Sequence, residues 1–121
     1  MCSYDLAAAL ASLEVWTREP VADRIAAIAT HHAKRLAKFR GRRDVADARQ
    51  MGTIAAIEIA VPDGGYLAAL GPKLNAFYLE RDILLRSLGN VVYAMPPYCA
   101  SGDDLDRIYD VIEESLSFVR A

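Results

Sequence analysis

A β-hairpin in the last third of the chain is the feature that most restricts how this sequence folds. Residues 83–98 read I-L-L-R-S-L-G-N-V-V-Y-A-M-P-P-Y. This pattern predicts a strand at 83–88, a turn at Gly89 and Asn90, and a second strand at 91–95 that the two prolines end. The hairpin therefore presents one guanidinium, that of Arg86, and one phenol, that of Tyr93.

Arg86 is the first candidate binding residue. Its position between Leu85 and Leu88 predicts a partly buried guanidinium, which is costly unless an anion or a hydrogen-bond partner meets it. The planar fork of arginine suits a carboxylate ligand because it binds both oxygens at once. The alternative is a structural ion pair on a half-exposed strand, with Glu58 or Asp82 as the partner, since such pairs are common at sheet edges.

The remaining pattern predicts helices and two further extended segments. Helices are expected at residues 6–16, 20–39 and 72–81, and a last helix begins at a capping box formed by Ser101 and Asp104. Extended segments are expected at 45–51 and 53–61, separated by Gly52 and closed by a turn at 62–65. This order predicts an α+β fold with a small, mainly antiparallel sheet covered by helices.

Composition limits the class of protein. A chain of 121 residues that is 54% apolar is expected to form one domain over residues 1–121. A net charge of -2 gives no electrostatic reason to bind nucleic acid. No apolar run approaches the roughly 20 residues that cross a bilayer, and two isolated cysteines, Cys2 and Cys99, suit a reducing compartment. We therefore expect a cytoplasmic protein that binds neither nucleic acid nor membrane.

Metal and nucleophile patterns are weak. His31 and His32 are adjacent on a predicted helix, so their side chains point about 100 degrees apart, and no metal site is expected there. Lys34 and Lys38 belong to the basic, solvated face of that helix, and Lys73 follows Gly71 and Pro72 in a first helical turn. None is predicted to be a desolvated nucleophile. Gly64 and Gly65 predict a turn rather than a phosphate-binding loop.

Four stretches of the sequence carry a resemblance to a known family. They are L-A-A-A-L-A-S-L-E-V, D-A-R-Q-M-G-T-I-A-A-I-E-I, F-Y-L-E-R-D-I-L-L-R, and L-L-R-S-L-G-N-V-V-Y-A-M-P-P-Y followed by S-G-D-D-L-D-R. From about residue 6 to residue 118 the chain resembles the C-terminal domain of class III, pyridoxal-phosphate-dependent aminotransferases. Within that family it is most similar to the biotin-pathway members, which transfer an amino group from adenosylmethionine to a keto acid.

The resemblance implies roles for two residues and for one helix. Arg86 matches the arginine that receives the substrate carboxylate, and Tyr93 matches a tyrosine near the substrate. The family's small domain caps the active site of a large domain, and its first helix runs between the two. Two departures stand out, because Ser3-Tyr4-Asp5 replaces a glycine-asparagine-proline entry and Ser87-Leu88 replaces a proline followed by phenylalanine or leucine.

The resemblance also implies that something is missing. The Schiff-base lysine belongs to the family's large cofactor-binding domain, which precedes the region matched here and is absent from this chain. We therefore expect no cofactor binding and no catalysis by the chain alone. We also expect the chain either to bind that domain as its partner or to form a homo-oligomer. Two functions remain open: the substrate-binding C-terminal part of an aminotransferase, or a stand-alone α+β module that binds a carboxylate-bearing small molecule or self-associates without catalysis.

Overall fold

The computed structural model describes residues 2–62 and 66–120 as an α+β fold of helices and one antiparallel sheet. This confirms the predicted fold class. The elements in chain order are α1 (Ser3–Arg18), α2 (Val21–Leu36), β1 (Val45–Met51), β2 (Ile54–Ile59), α3 (Tyr66–Leu79), β3 (Arg86–Leu88), β4 (Val91–Ala94) and α4 (Gly102–Arg120). None of the helices in the described part has the length and hydropathy needed to cross a membrane.

The sheet has four strands in the order β1-β2-β4-β3, and each neighbouring pair is antiparallel. Gly52 and Gly89 occupy its two tight turns with φ angles of 56° and 60°, a region that glycine enters without steric penalty. The hairpin turn at Gly89 and Asn90 is therefore confirmed. Strand β3, which carries Arg86, lies at one edge of the sheet.

Helices α2, α3 and α4 cover one face of this sheet. Their buried side chains meet the inward residues of the strands in a single core. The largest fully buried side chains include Leu36, Phe39, Leu74, Tyr78, Tyr109, Ile112 and Leu116 from the helical side and Ile57 and Ile59 from β2. Since Val92 and Ala94 of β4 also face this core, the alternate residues of β4 lie on the opposite, open face.

Helix α4 confirms the predicted capping box. The Ser101 hydroxyl accepts a hydrogen bond from the Asp104 backbone N–H at 3.1 Å, and an Asp104 carboxylate oxygen accepts one from the Ser101 backbone N–H at 2.9 Å. The predicted apolar stripe then packs inward, with Leu105 and Ile112 buried and Ile108 partly buried. The start of this helix also lines a groove beside the β3–β4 hairpin.

Several predicted boundaries are wrong; helix α1 spans Ser3–Arg18 rather than residues 6–16, and helix α2 ends at Leu36 rather than at residue 39. Strand β3 covers Arg86–Leu88 only, because Asp82 turns the chain with a φ of 59° and the Ile83 N–H bonds back to the Tyr78 carbonyl. Helix α3 starts at Tyr66 and contains Pro72 in its interior rather than in its first turn. Burial of Leu70 against the core holds the turn before the proline in helical form. In the predicted turn at 62–65, residues 63–65 lie outside the described part.

A buried polar pair lies between α2, α4 and the β1–β2 turn. His32 is fully buried, and its Nε2 lies 2.9 Å from the Thr53 carbonyl oxygen. A carbonyl only accepts, so Nε2 carries the proton and Nδ1 accepts the Tyr109 hydroxyl at 2.6 Å. Burial is the main cause that lowers the pKa of His32; the bond to Thr53 acts in the opposite direction, and the nearby His31 lowers the pKa further.

Helix α1 contrasts with the other helices because it has no buried residue. Leu6, Leu10, Leu13 and Trp16 are between 50% and 63% exposed and follow one side of the helix. The helix meets α2, and beyond it the Tyr98 hydroxyl donates to Glu19 at 2.8 Å. Within the described part of the chain, the apolar side of α1 therefore has no cover.

Candidate functional site

A groove of about 430 Å³ lies between the β3–β4 hairpin, the segment that follows β4 and the start of α4. Its polar lining residues are Asp82, Arg86, Tyr93, Asp104 and Arg107. The other walls are mostly apolar and include Leu84, Leu85, Met95, Pro96, Pro97 and Ile108. A groove with a few polar groups on apolar walls is the usual form of a small-molecule site.

The hairpin brings the two predicted site residues together. Arg86 of β3 is the direct cross-strand partner of Tyr93 of β4. Directly opposed residues of an antiparallel pair share one face of the sheet, and here both side chains line the groove. The groove therefore presents a guanidinium beside a phenol.

The predicted burial of Arg86 is wrong. Arg86 is exposed, and although Leu85 is buried, Leu88 is 71% exposed. The reason is the strand order, since β3 lies at the sheet edge and the helices cover only the opposite face. Because the side chain is exposed, the case for a ligand rests on the partners of the guanidinium rather than on its desolvation.

Arg86 differs from most arginines of the chain in its partners. Across residues 2–62 and 66–120, no carboxylate lies within ion-pair distance of its guanidinium, whereas Glu58 binds Arg49 at 3.3 Å. Arg35 and Arg42, in contrast, each bind two carboxylates. The described acidic residues thus leave the anion-binding fork of Arg86 available to a ligand.

Arg107 is a groove residue that sequence reasoning missed. It follows the acidic start of α4, and one of its terminal nitrogens donates to the Arg81 carbonyl at 3.0 Å. The backbone and hydroxyl of Ser101, together with the charge of Arg107, lower the pKa of Asp104. The run S-G-D-D-L-D-R marked a helix start, but nothing local in it indicated that the hairpin packs opposite.

A pyridoxal cofactor requires a lysine amine kept reactive by its surroundings, an acid at the pyridine nitrogen and donors for the phosphate. Lys34, Lys38 and Lys73 are all exposed, and none of them lines the groove. Lys73 instead borders a small cleft beside Phe77 and Phe118. The described residues therefore do not fit a pyridoxal site.

The histidines and cysteines have separate surroundings. His31 lies 2.8 Å from an Asp106 carboxylate oxygen, whereas His32 is in the core. In the part of the chain that the structure describes, no three potential ligands cluster as a metal site would require. Cys2 and Cys99 are both free and exposed, and Cys99 lies on the rim of the groove.

Comparison with known proteins gives a consistent relationship. The sequence profile described as "Aminotransferase class-III" matches residues 4–116. Adenosylmethionine-8-amino-7-oxononanoate aminotransferase of Synechococcus elongatus is 41% identical over 68 residues, which are 56% of this chain and 16% of that protein. The Anoxybacillus flavithermus enzyme of the same name is 30% identical over 116 residues, which are 91% of this chain and 25% of that protein.

The fold agrees with the sequence relationship. The crystal structure of adenosylmethionine-8-amino-7-oxononanoate aminotransferase from Methanocaldococcus jannaschii superimposes with a TM-score of 0.74 at 28% identity, covering 88% of this chain and 26% of that one. This chain thus spans about a quarter or less of the length of these proteins. Since the family profile covers nearly all of it, the chain belongs to the class III aminotransferases, a pyridoxal-phosphate-dependent family.

Proposed function

We propose that this chain is the substrate-binding C-terminal part of a pyridoxal-phosphate-dependent aminotransferase, in which Arg86 receives the substrate carboxylate. The observation that carries the proposal is the pairing of Arg86 with Tyr93 on the wall of the groove, with no carboxylate of the described residues bound to Arg86. The bidentate fork suits a carboxylate, and the Tyr93 hydroxyl offers a neighbouring hydrogen bond.

The substrate that we propose is 8-amino-7-oxononanoate, with adenosylmethionine as the amino donor, as in the names of the relatives. This keto acid has a long aliphatic chain that ends in a carboxylate. Its chain would contact the apolar walls at Leu85, Met95 and Ile108 while its carboxylate binds Arg86. We assign the lysine chemistry to another part of the enzyme, so this chain alone should give no turnover.

The proposed function is tested by titrating the labelled chain with 8-amino-7-oxononanoate and with its methyl ester while amide NMR signals are recorded. The acid should shift signals of β3, β4 and residues 95–100, and the ester should bind at least about tenfold more weakly because it lacks the charge. Equal binding of acid and ester, or shifts that avoid this groove, would rule out Arg86 as the carboxylate receptor.

A second candidate function, a stand-alone module that self-associates, is favoured by one observation. Leu6, Leu10, Leu13 and Trp16 expose an apolar side of α1, and such patches usually bind a partner. In an aminotransferase the partner would be the cofactor domain. Where that domain is absent, we expect a second copy of the chain to cover α1.

The association is tested by light scattering on the purified chain. The unmodified chain should run as a dimer or larger species at high concentration, and Leu10→Glu should yield monomers because it places a charge in the contact. Ala11→Glu serves as the control, since Ala11 is exposed on the other side of α1. A monomer at all concentrations would contradict the prediction.

A further inference from the structure

We propose that Asn75 is a positioning residue that fixes the edge strand β3 and thereby the direction in which Arg86 offers its guanidinium. This inference rests on the proposed function of Arg86. It concerns a residue that lies outside the groove lining and acts through the backbone next to Arg86.

The two sides of β3 are held by different partners. On one side, Arg86, Ser87 and Leu88 pair with β4. On the other side, the Ser87 backbone N–H donates to the Asn75 side-chain oxygen at 3.1 Å. An edge strand normally leaves such N–H groups to water. Asn75 therefore occupies the position that a further strand would take.

Helix α3 gives Asn75 a rigid base. Leu74 and Tyr78, on either side of it in the helix, are both fully buried. Gly71, one turn earlier, lies so close to the hairpin that an added Cβ would be 3.6 Å from the Gly89 nitrogen and from the Ser87 oxygen. Helix α3 is anchored in the core and contacts the hairpin at both Gly71 and Asn75. The side-chain amide of Asn75 therefore has a defined position relative to β3.

This support matters because β3 is a short edge strand that pairs with another strand on one side only. The strand is three residues long. The Ser87 hydroxyl is buried but finds no hydrogen-bond partner among the described residues, so it does not anchor the strand. Bidentate binding of a carboxylate requires a defined direction of the guanidinium plane. Loss of the Asn75 bond should let the backbone at Ser87 move and reduce carboxylate affinity without removing any group that touches the ligand.

The test compares two replacements of Asn75 in the full chain. Asn75→Leu removes the accepting oxygen at similar size, whereas Asn75→Asp keeps an acceptor for the Ser87 N–H. Affinities for 8-amino-7-oxononanoate and for its methyl ester are measured by NMR titration, together with hydrogen exchange at Ser87. Lys73→Leu is the matched control, because Lys73 is an exposed residue of the same helix that does not line the groove.

We expect Asn75→Leu to weaken acid binding by roughly 3- to 10-fold, the size of one hydrogen bond, and to speed exchange at Ser87. Ester binding and the melting temperature should change little, and Asn75→Asp and Lys73→Leu should resemble the unmodified chain. Asn75→Ala gives the same readout should the leucine variant fail to fold.

Two results separate failure of this inference from failure of the proposed function. Suppose that Arg86→Ala abolishes the preference for the acid over the ester. Unchanged acid affinity in Asn75→Leu, or an equal loss of acid and ester affinity, would then overturn the positioning role of Asn75 alone. If Arg86→Ala itself leaves that selectivity intact, the proposed function fails and the role of Asn75 fails with it.

Discussion

Replacing Arg86 with alanine should weaken binding of a carboxylate substrate by about ten- to a hundredfold and leave the fold nearly unchanged. A hydrogen bond to a charged group contributes about 1.5–3 kcal/mol, which corresponds to that range of dissociation constants. The fold should tolerate the change because Arg86 is exposed and no carboxylate of residues 2–62 or 66–120 binds it. Isothermal titration with 8-amino-7-oxononanoate measures the affinity, and thermal unfolding measures the stability.

One further variant shows whether the bidentate fork or merely the charge is required, and a second serves as its control. Arg86→Lys should restore little affinity, since lysine keeps the charge but not the bidentate geometry. Arg43→Ala is the matched control, because Arg43 is also exposed and has no ion pair in the described part of the chain, yet lies away from the groove. Unchanged affinity in Arg86→Ala would contradict the carboxylate-binding role, and a stability loss of several kcal/mol would show that Arg86 is a structural residue.

Acidification should destabilise the chain through His32. Its pKa is lowered in the fold by burial, so the native state keeps the imidazole neutral while the unfolded chain takes up a proton below about pH 6.5. The contribution of His32 is therefore fully present above the unfolded pKa and is lost as the pH falls toward the folded one. One such proton gives a slope of up to about 1.4 kcal/mol per pH unit.

Urea unfolding of the unmodified chain and of His32→Gln between about pH 5.5 and 8 measures this slope. Glutamine offers a donor for the Thr53 carbonyl and an acceptor for the Tyr109 hydroxyl but does not titrate. The unmodified chain should lose stability more steeply below about pH 6.5, and the two curves should run parallel at higher pH. Parallel curves throughout would mean that His32 ionises alike in both states.

Local patterns predicted the features that local physics determines. The turn at Gly89 and Asn90 and the capping box of Ser101 and Asp104 depend on neighbouring backbone atoms alone, so spacing was sufficient to place them. The apolar stripe of α4 and the pairing of β3 with β4 also follow from short-range periodicity. The predicted site residues Arg86 and Tyr93 share a groove because a hairpin register brings them opposite each other.

Features that depend on the order of the strands or on the packing of the helices could not be predicted from local sequence patterns. The exposure of Arg86 follows from the edge position of β3, which the sequence of the hairpin does not encode. Arg107 of α4 lines the groove and Asn75 of α3 contacts the backbone of β3, and both placements depend on how the helices pack. The predicted start of α3 at Pro72 was wrong, because core packing outweighed the local helix-breaking signal of the proline.

Helix α1 has a thermodynamic consequence of its own. It is 16 residues long and buries none of them, and it is only slightly longer than the limit of about 12–15 residues below which isolated helices are marginal in water. Packing of the proposed partner against its leucines would therefore stabilise the helix itself as well as the contact. Any part of the helix that frays in the free chain would have to order on binding, and the measured affinity would be lower by the free energy of that ordering.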